Sequence, residues 1–183
     1  MSMSKSRSPA TSALTVERVS HSIEETEQVG ERLGQQLAGG DVIALVGELG
    51  AGKTTLIRGL AKGLGVDPDV VKSPTFVLLR DYPGRVGLIH IDAYRLDTSA
   101  SAIFLDVEWM FSPKKVTVIE WANRVTTCLP EDYLEIRMTH KTTNHRTVTF
   151  KAQGLRASQL VTSLSDAYAS NKTTGETPNT KSQ

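Results

Sequence analysis

Eight consecutive residues have the types and spacing of a phosphate-binding loop. Residues 47–54 read GELGAGKT, which fits the pattern G-x-x-x-x-G-K-[ST]. In such a loop, backbone N–H groups surround phosphate oxygens, the lysine reaches the outer phosphates, and the final hydroxyl holds Mg²⁺. Glycines are needed because the concave backbone takes φ angles that side chains disfavour. The segment therefore predicts a nucleotide-phosphate site in which Lys53 and Thr54 make the specific contacts.

The segments on either side of the loop are the ones that must position it. Residues 42–46 (VIALV) form a short apolar run rich in β-branched side chains, as expected of a strand that is buried on both faces. Apolar residues then recur at helical spacing from Leu56 to Leu64, and the N-terminus of that helix adds partial positive charge to the anion site. An accidental glycine-rich turn would need neither element, so this context favours nucleotide binding.

Two further strand ends supply acidic side chains. Strands are predicted over residues 86–91 and 115–119, and they lead to Asp92 and Glu120. Ligands of open α/β sheets bind beyond the carboxyl ends of the strands, and Mg²⁺ prefers carboxylate, hydroxyl and phosphate oxygens. If these strands and the one before the loop are neighbours, Thr54, Asp92 and Glu120 provide a magnesium site.

The composition predicts one domain with polar ends. The chain has 183 residues and a mass of 19.9 kDa, which suits a single domain. Residues 1–13 and 169–183 contain almost nothing that could enter a core, so both are predicted to be disordered tails of a domain over residues 14–168. The N-terminal tail carries Lys5 and Arg7 and faintly resembles an organellar transit peptide, but it lacks an amphipathic apolar face.

Charge and cysteine usage limit the classes of function. The 21 basic and 20 acidic residues give a net charge of +1, whereas a chain that grips nucleic acid by itself normally has a basic excess. No stretch approaches the ~18 consecutive apolar residues of a membrane span. The single cysteine, Cys128, cannot form an internal disulfide, which fits a reducing compartment and a packing role. We therefore expect a cytoplasmic protein with no membrane partner and only an indirect contact with RNA.

The remaining elements complete a mixed pattern of strands and helices. Residues 14–20 alternate as an edge strand does, and Ser22 with Glu25 forms a capping box for a helix that should end at residues 39–40. Ser73 and Pro74 begin an extended segment that should continue to residue 81, because the residue before a proline avoids the helical region.

A turn with Pro and Gly at residues 82–85 joins this segment to the next strand as a hairpin, and residues 132–140 and 146–152 form a second hairpin. The other predicted elements are a helix over residues 99–111 and a short final helix with Gln159, Leu160 and Leu164. This mixture predicts an α/β fold, namely a three-layer P-loop NTPase-like domain with a mixed parallel and antiparallel sheet flanked by helices.

Four motifs taken together resemble a known family. They are GELGAGKTT at 47–55, SPTF at 73–76, HIDAYRL at 90–96 and IEWA at 119–122. In this order and at these spacings they resemble the TsaE (YjeE) family of small P-loop ATPases, which bacteria require to form threonylcarbamoyladenosine (t6A) at position 37 of certain tRNAs. The resemblance covers about residues 14–155. It implies ATP and Mg²⁺ as cofactors and the TsaB–TsaD pair as partners, with tRNA bound mainly through that pair.

The resemblance also implies a role for each matching residue. Lys53 would contact the β and γ phosphates, and Thr54 would ligate Mg²⁺. Asp92 and Glu120 would be the acidic pair at the metal and at the attacking water, with the division of roles between them open. Thr75 would be a switch-like contact near the γ phosphate. The predicted catalytic residues are Lys53, Asp92 and Glu120, and the predicted nucleotide contacts are Gly47, Glu48, Leu49, Gly50, Ala51, Gly52, Lys53, Thr54, Thr55 and Thr75.

Some residues of the motifs are also open to purely structural interpretations. His90 shares a strand face with Asp92 and is favoured as a structural histidine, while Trp121 fits packing and function equally. Thr75 fits an ordinary loop hydroxyl almost as well as a switch. Residues 97–102 (DTSASA) replace the acidic pair and the Leu-Gly step that are usual in the family, which leaves the following segment and its partner contacts open.

Three classes of function fit these observations. They are a Mg²⁺-dependent ATP hydrolase of the tRNA-modifying assembly, a kinase of a small metabolite, and a nucleotide-gated binding module. A GTPase is disfavoured because the chain has no Asn-Lys-x-Asp tetrad to recognise guanine. Arg95 and Arg124 follow the acid-bearing strands, but neither lies in a recognisable finger-bearing insertion. The family resemblance favours the hydrolase, although the residues themselves hardly distinguish a hydrolase from a nucleotide-gated module. We expect the turnover of the hydrolase to be slow alone and faster with partners.

Overall fold

A computed structural model of the chain describes residues 14–96, 110–142 and 145–172, with side chains up to residue 169. The predicted N-terminal tail, nearly all of the helix predicted over residues 99–111, and the predicted C-terminal tail beyond residue 172 lie outside the described residues. Within the described ranges, none of the helices combines the length and the apolar character that a membrane crossing requires.

The described part of the chain builds one mixed sheet of seven strands. They are β1 (Thr15–Ser20), β2 (Val42–Gly47), β3 (Leu79–Tyr82), β4 (Gly87–Asp92), β5 (Lys115–Glu120), β6 (Tyr133–His140) and β7 (Arg146–Gln153). Their order across the sheet is β1-β7-β6-β2-β5-β4-β3. The central strands β6, β2, β5 and β4 are parallel, whereas β7, β1 and β3 pair antiparallel with their neighbours. The central strands are rich in apolar residues because both faces of that part of the sheet are covered.

Three α-helices in the described residues cover one face of the sheet. They are α1 (Ile23–Gln36), α2 (Lys53–Gly63) and α3 (Leu155–Lys172). Their apolar side chains, such as Leu33, Leu60 and Leu164, join those of the strands in one buried cluster. Helices α1 and α2 lie so close together that a Cβ added at Gly30 would be 2.2 Å from the carbonyl oxygen of Leu56. Glycine therefore lets the helix that follows the loop pack directly against α1.

The opposite face of the sheet has a smaller core. Its buried cluster contains side chains such as Ile89, Ile91 and Ile119. In the described residues this cluster is covered by two short 3-10 turns, Ala122–Arg124 and Thr126–Cys128, and by the buried side chain of Met110, which has helical backbone. The predicted α/β fold with a mixed sheet is confirmed, and the second covering layer is the thinner one in the part of the chain that is described.

The amino end of the parallel strands is held by a closely paired group of charges. Asp41 directly precedes β2, and its carboxylate oxygens accept hydrogen bonds from Nε and Nη2 of Arg156 at 2.9 and 2.8 Å. Nη2 also donates to the carbonyl oxygen of Gln36 at 2.9 Å. The Asp132 carboxylate accepts from the backbone N–H groups of Arg156 and Ala157, and it thereby caps the start of α3. The hydrogen bond to Asp41 raises the pKa of Arg156.

The edge strand, the capping box and both hairpins are confirmed. Ser22 Oγ accepts a hydrogen bond from the N–H of Glu25 at 3.1 Å. The Glu25 carboxylate in turn accepts from the N–H of His21 at 2.7 Å, one residue before the predicted N-cap. Ser22 thereby satisfies one of the first N–H groups of α1, and Glu25 fixes the backbone that leads into the cap.

Two predicted boundaries of the first half of the chain were wrong. Helix α1 ends at Gln36, before the predicted residues 39–40, because Leu37 has extended backbone with ψ of 145°. The segment predicted to be extended from Ser73 forms a turn instead, since the N–H groups of Val77 and Leu78 both donate to the carbonyl oxygen of Pro74 at 2.9 and 2.7 Å. Strand β3 therefore begins only at residue 79.

The final helix is longer than predicted. Helix α3 has 18 residues and continues to Lys172, past the predicted end of the domain at residue 168. The ring of Tyr168 packs beneath two guanidinium groups, those of Arg18 and Arg32, at 4.5 and 5.1 Å from the ring centroid. These cation–π contacts attach the last turns of α3 to β1 and α1, so the helix extends further than its sparse apolar pattern indicates.

Candidate functional site

The three strands that carry the predicted site are neighbours in the sheet. Strand β5 lies between β2 and β4, and all three run parallel. The register places Glu120 beside Asp92 on one side and beside Leu45 on the other. The ends of these strands therefore meet at one edge of the sheet, next to the loop that leaves β2 at Gly47.

A cleft of about 550 Å³ opens at this edge of the sheet. Its lining residues are Leu49, Gly50, Gly52, Lys53, Thr54, Thr55, Ser73, Thr75, Asp92, Tyr94, Glu120 and Trp121. All of them except Ser73, Tyr94 and Trp121 belong to the predicted site. The structure thus brings the acidic pair, the predicted switch threonine and most of the loop to one cavity.

Three predicted loop residues do not line this cleft. Gly47 and Glu48 line a neighbouring pocket of about 260 Å³, which shares Trp121 with the cleft. Ala51 is 1% exposed and belongs to the core beneath the loop. These residues shape the loop rather than face the cavity.

The loop has the backbone that its glycines predicted. Gly50 and Gly52 have φ angles of 79° and 96°, in the left-handed region where a side chain is strained. Gly52 precedes α2 as its N-cap, and its carbonyl oxygen accepts the first helical hydrogen bond from the N–H of Leu56 at 3.0 Å. The first N–H groups of α2 therefore have no partner within the helix, and with the helix dipole they favour an anion at this point.

Lys53 is a nearly buried cation at the cleft. The residue is 6% exposed, and its Nζ donates to the carbonyl oxygens of Gly47 and Glu48 at 2.8 and 2.9 Å. Nζ also lies 4.1 Å from the centroid of the Trp121 ring. Burial lowers the pKa of Lys53 from its ordinary value, while the charges of Glu120 and Asp92 act in the opposite direction. The ammonium group is thus held by loop carbonyls and an aromatic face, within the electrostatic reach of both carboxylates.

The Asp92 carboxylate is fully engaged by the protein. Its Oδ2 accepts hydrogen bonds from Thr75 Oγ1 at 2.5 Å and from Ser73 Oγ at 3.1 Å. Its Oδ1 accepts from the N–H of Tyr94 at 2.9 Å. Asp92 therefore ties the end of β4 to the turn that carries Ser73 and Thr75.

The Glu120 carboxylate has one engaged oxygen and one available oxygen. Oε1 accepts from Nε2 of His90 at 2.8 Å, and no other hydrogen bond to this carboxylate occurs among the described residues. Both residues are buried, His90 at 0% and Glu120 at 3% exposure. An ionised carboxylate can only accept hydrogen bonds, so Nε2 of His90 carries the proton that faces Glu120, and Nδ1 has no partner in the described structure. The histidine that the sequence favoured as structural thus contacts a predicted catalytic residue.

Two residues with strained backbone lie next to the ends of the acid-bearing strands: the Leu78 carbonyl oxygen accepts from the N–H of Asp92, and Trp121 follows Glu120. Leu78 and Trp121 have φ angles of 68° and 59°, the positive values found at non-glycine residues of the described chain. Trp121 directly follows Glu120 and stacks against Tyr94, with ring centroids 5.0 Å apart. Such backbone costs of order 1–3 kcal/mol per residue and persists where the surroundings impose it, which is common at functional sites.

The two arginines singled out in the sequence contact aromatic rings, and one of these rings, that of Tyr94, lines the cleft. Arg95 lies 4.7 Å from the ring centroid of Phe76, which is 86% exposed. Arg124 lies 5.4 Å from the ring centroid of Tyr94. Neither is among the residues that line the cleft, so their position at the ends of the acid-bearing strands does not bring them into it.

Sequence reasoning missed Ser73 and Tyr94, although local signals existed for both. Ser73 is two residues from Thr75 across Pro74, and a turn there directs both hydroxyls to one acceptor. Tyr94 is two residues from Asp92, the spacing at which an aspartate commonly accepts from the backbone. The contact of His90 with Glu120 had a signal too, since His90 and Asp92 share a face of β4 and Asp92 is paired with Glu120.

The fold and this loop define a P-loop NTPase-like α/β domain. The model of one protein family, described as "Threonylcarbamoyl adenosine biosynthesis protein TsaE", matches residues 20–148. The chain is 36% identical over 143 residues to the tRNA threonylcarbamoyladenosine biosynthesis protein TsaE of Bacillus subtilis, which covers 78% of this chain and 89% of that protein. It belongs to the TsaE family, and the resemblance of its motifs is confirmed.

Two further comparisons agree with this membership. The TsaE protein of Treponema pallidum is 38% identical over 131 residues, which is 72% of this chain and 96% of that protein. A crystal structure of YdiB from Bacillus subtilis superposes with a TM-score of 0.74 at 29% identity and covers 87% of this chain and 99% of that one. The similarity therefore extends over nearly the whole of both relatives.

Proposed function

We propose that this protein binds MgATP in the cleft and hydrolyses ATP in the formation of t6A in tRNA. The relatives that it resembles over most of their length are named for this biosynthesis. The proposed compartment is the cytoplasm, in keeping with the single cysteine.

The observation that carries the proposal is the environment of Lys53. This cation is nearly buried, yet it lines an open cavity beside the N-terminus of α2. Among the described residues its direct contacts are carbonyl oxygens and a ring, whereas a phosphate oxygen would place a full opposing charge in direct contact with it. The loop amides and the helix dipole favour negative charge at the same place.

The residues present fit a magnesium ion that arrives with the nucleotide. No group of three or more His, Cys, Asp or Glu side chains that could hold a metal occurs in the described residues. Thr54 and Glu120 line the cleft and offer a hydroxyl and a carboxylate oxygen, and Mg²⁺ in nucleotide sites usually takes its other ligands from phosphates and water. Binding of the metal should therefore depend on the nucleotide.

The hydrogen bonds favour different roles for the two acids. Bound ATP would supply the phosphoryl group, and its Mg²⁺ would neutralise part of the phosphate charge. Glu120 would use its available oxygen at the metal and its waters, while His90 orients the other oxygen. Asp92, with both oxygens engaged, would position Ser73 and Thr75 near the terminal phosphate.

The proposed partners are the TsaB–TsaD pair, which the family resemblance implies. Hydrolysis gains from a cation placed on the transferred phosphoryl group, and an arginine supplied in trans contributes ~10³–10⁵ in rate. Arg95 and Arg124 lie over aromatic rings and do not line the cleft, so a cation from a partner would complete the site. Because the net charge is only +1, we expect tRNA to bind mainly through the partners and only weakly, with strong salt dependence, to this protein alone.

The decisive assay is phosphate release from MgATP by the purified chain, with and without TsaB and TsaD. We expect slow release by the chain alone and a clear increase with the pair. Fast release that the pair leaves unchanged would contradict the proposed partnership. Stoichiometric phosphorylation of a small metabolite would favour the kinase instead, and binding without any turnover would favour the nucleotide-gated module.

A further inference from the structure

A buried arginine without a counter-charge lies directly behind the loop. Arg146 is the first residue of β7 and is 6% exposed. Its Nη1 donates to Thr26 Oγ1 of α1 at 3.0 Å, and its Nε is buried without a hydrogen-bond partner. None of the ion pairs among the described residues includes it.

This environment is unfavourable for a permanent cation. A guanidinium group remains charged at all ordinary pH values, and burying it without an opposing charge costs free energy. The hydroxyl of Thr26 is a neutral acceptor that is also bonded to Ser20 and to the Ser22 carbonyl oxygen. Arg156, at the other end of the same sheet, has both oxygens of Asp41 opposite it. The Arg156 side chain is also 41% exposed. Arg146 is therefore both the more buried of the two arginines and the one without an ion pair among the described residues.

The guanidinium group lies beside the phosphate-binding loop. A Cβ added at Gly52 would lie 3.3 Å from Nη1 and 3.4 Å from Cδ of Arg146. Gly52 is the residue before Lys53 and the N-cap of α2. Three sources of positive potential thus converge on one short stretch of backbone: the N-terminus of α2, the ammonium group of Lys53 and the guanidinium group of Arg146.

We infer that Arg146 is a determinant of polyphosphate binding, whose missing counter-charge is supplied by the phosphates of the ligand held in the loop. The inference rests on the proposed function for the identity of that ligand, a nucleoside di- or triphosphate. The low-dielectric surroundings that make the free cation costly also make its attraction to a nearby anion strong. Arg146 consequently destabilises the free protein and stabilises the complex.

The experiment compares Arg146→Met, which keeps most of the aliphatic volume without the charge, with Arg146→Lys, which keeps the charge. Each variant and the wild type are melted without ligand and titrated calorimetrically with MgADP. A matched control is Lys151→Met, which removes one positive charge from an exposed position of the same strand. We expect Arg146→Met to bind MgADP about 10-fold more weakly, which corresponds to ~1.4 kcal/mol, with an unliganded melting temperature equal to or above that of the wild type. Arg146→Lys and Lys151→Met should bind within about threefold of the wild type, because both keep the charge behind the loop.

Each outcome decides the inference. Unchanged affinity of Arg146→Met overturns it, whatever happens to the melting temperature. Arg146→Met also overturns the inference if it fails to fold, or if its loss of affinity comes with a lower melting temperature. The inference requires the uncompensated cation to destabilise the unliganded protein, so its removal should not lower the melting temperature. If the wild type does not bind MgADP or MgATP, the proposed function fails instead. Inorganic triphosphate then tests Arg146 separately, and equal binding of it by wild type and Arg146→Met contradicts the inference.

Discussion

The two ends of the parallel strands differ in how their buried charges are paired. At the amino end, Asp41 and Arg156 neutralise each other through paired hydrogen bonds, and Asp132 caps α3. At the carboxyl end, Lys53 faces carbonyl oxygens and Arg146 has no opposing charge among the described residues. The charges of the amino end are paired in the free protein, whereas we propose that a bound anion supplies the missing negative charge at the carboxyl end.

The distribution of strain follows the same division. The non-glycine residues of the described chain with positive φ, Leu78 and Trp121, both lie beside the carboxyl end. Functional sites commonly retain strained backbone and unpaired polar groups that reduce stability, and the rest of the fold compensates for them. The comparison predicts that substitutions at the carboxyl end change ligand binding and turnover, while those at the amino end change stability alone.

The largest effect is expected from Glu120→Ala at the carboxyl end. We expect turnover to fall by about 100-fold or more, because positioned charge at the metal and its waters acts mainly in the transition state. Affinity for MgATP should change much less, since Lys53 and the loop are the residues proposed to bind the phosphates in the ground state. Phosphate release and calorimetry measure the two quantities, with Glu17→Ala at an exposed position of β1 as the control. A loss of affinity as large as that of Lys53→Ala, with turnover per bound nucleotide intact, would exchange the roles of the two residues.

The next largest effect is expected on stability, from a substitution at the amino end of the strands. Arg156→Met leaves the Asp41 carboxylate, 8% exposed, without its principal partner, and we expect a loss of about 2 kcal/mol in the free energy of unfolding. Urea denaturation of the unliganded protein measures this loss. Affinity for MgADP should stay within about twofold of the wild type, because the substitution is at the far end of the sheet. A variant with weakened nucleotide binding and normal stability would break the division between the two ends.

A smaller effect on turnover is expected at His90, which donates a hydrogen bond to Glu120. His90→Leu removes the donor to Oε1, and we expect turnover to fall by about 10-fold at saturating MgATP, with a smaller change in KM. His90→Gln keeps an N–H donor and should recover part of the lost turnover. If His90→Leu and His90→Gln behave alike in turnover and differ only in melting temperature, then His90 is a packing residue and does not orient Glu120.

The sequence predicted the parts of the site that depend on neighbours along the chain. The strand, the glycine-rich loop and the helix that follow one another from residue 42 to Leu64 were recognised because each has its own local pattern. Asp92 and Glu120 were found because each directly follows an apolar strand, and the order of the strands then brought them together. The resemblance of the motifs to one family added the proposed chemistry and the partners.

The missed contacts join residues that are distant in the sequence. His90 meets Glu120, and Arg146 meets Thr26 and the loop, only after the sheet has formed with its particular strand order. The local pattern of residue types does not indicate whether an arginine has an ionic partner. Arg146 begins β7 and Arg156 lies just after its end, and neither has a local signal that distinguishes it. The turn at Pro74 was missed because the preference of the residue before a proline does not determine the conformation of the residues after it.

The central claim is that the carboxyl end of the sheet is a magnesium-nucleotide site, and a thermal-shift titration of the wild type tests it most directly. MgADP and MgATP should each raise the melting temperature, with about 2.7 kcal/mol of added stability at a hundredfold excess over the dissociation constant. Removal of Mg²⁺ with a chelator should reduce the rise in melting temperature. GTP should raise the melting temperature less than the adenine nucleotides do, and Lys53→Ala should lose most of the rise. A wild-type protein whose stability does not change with either adenine nucleotide, with or without Mg²⁺, would contradict the account.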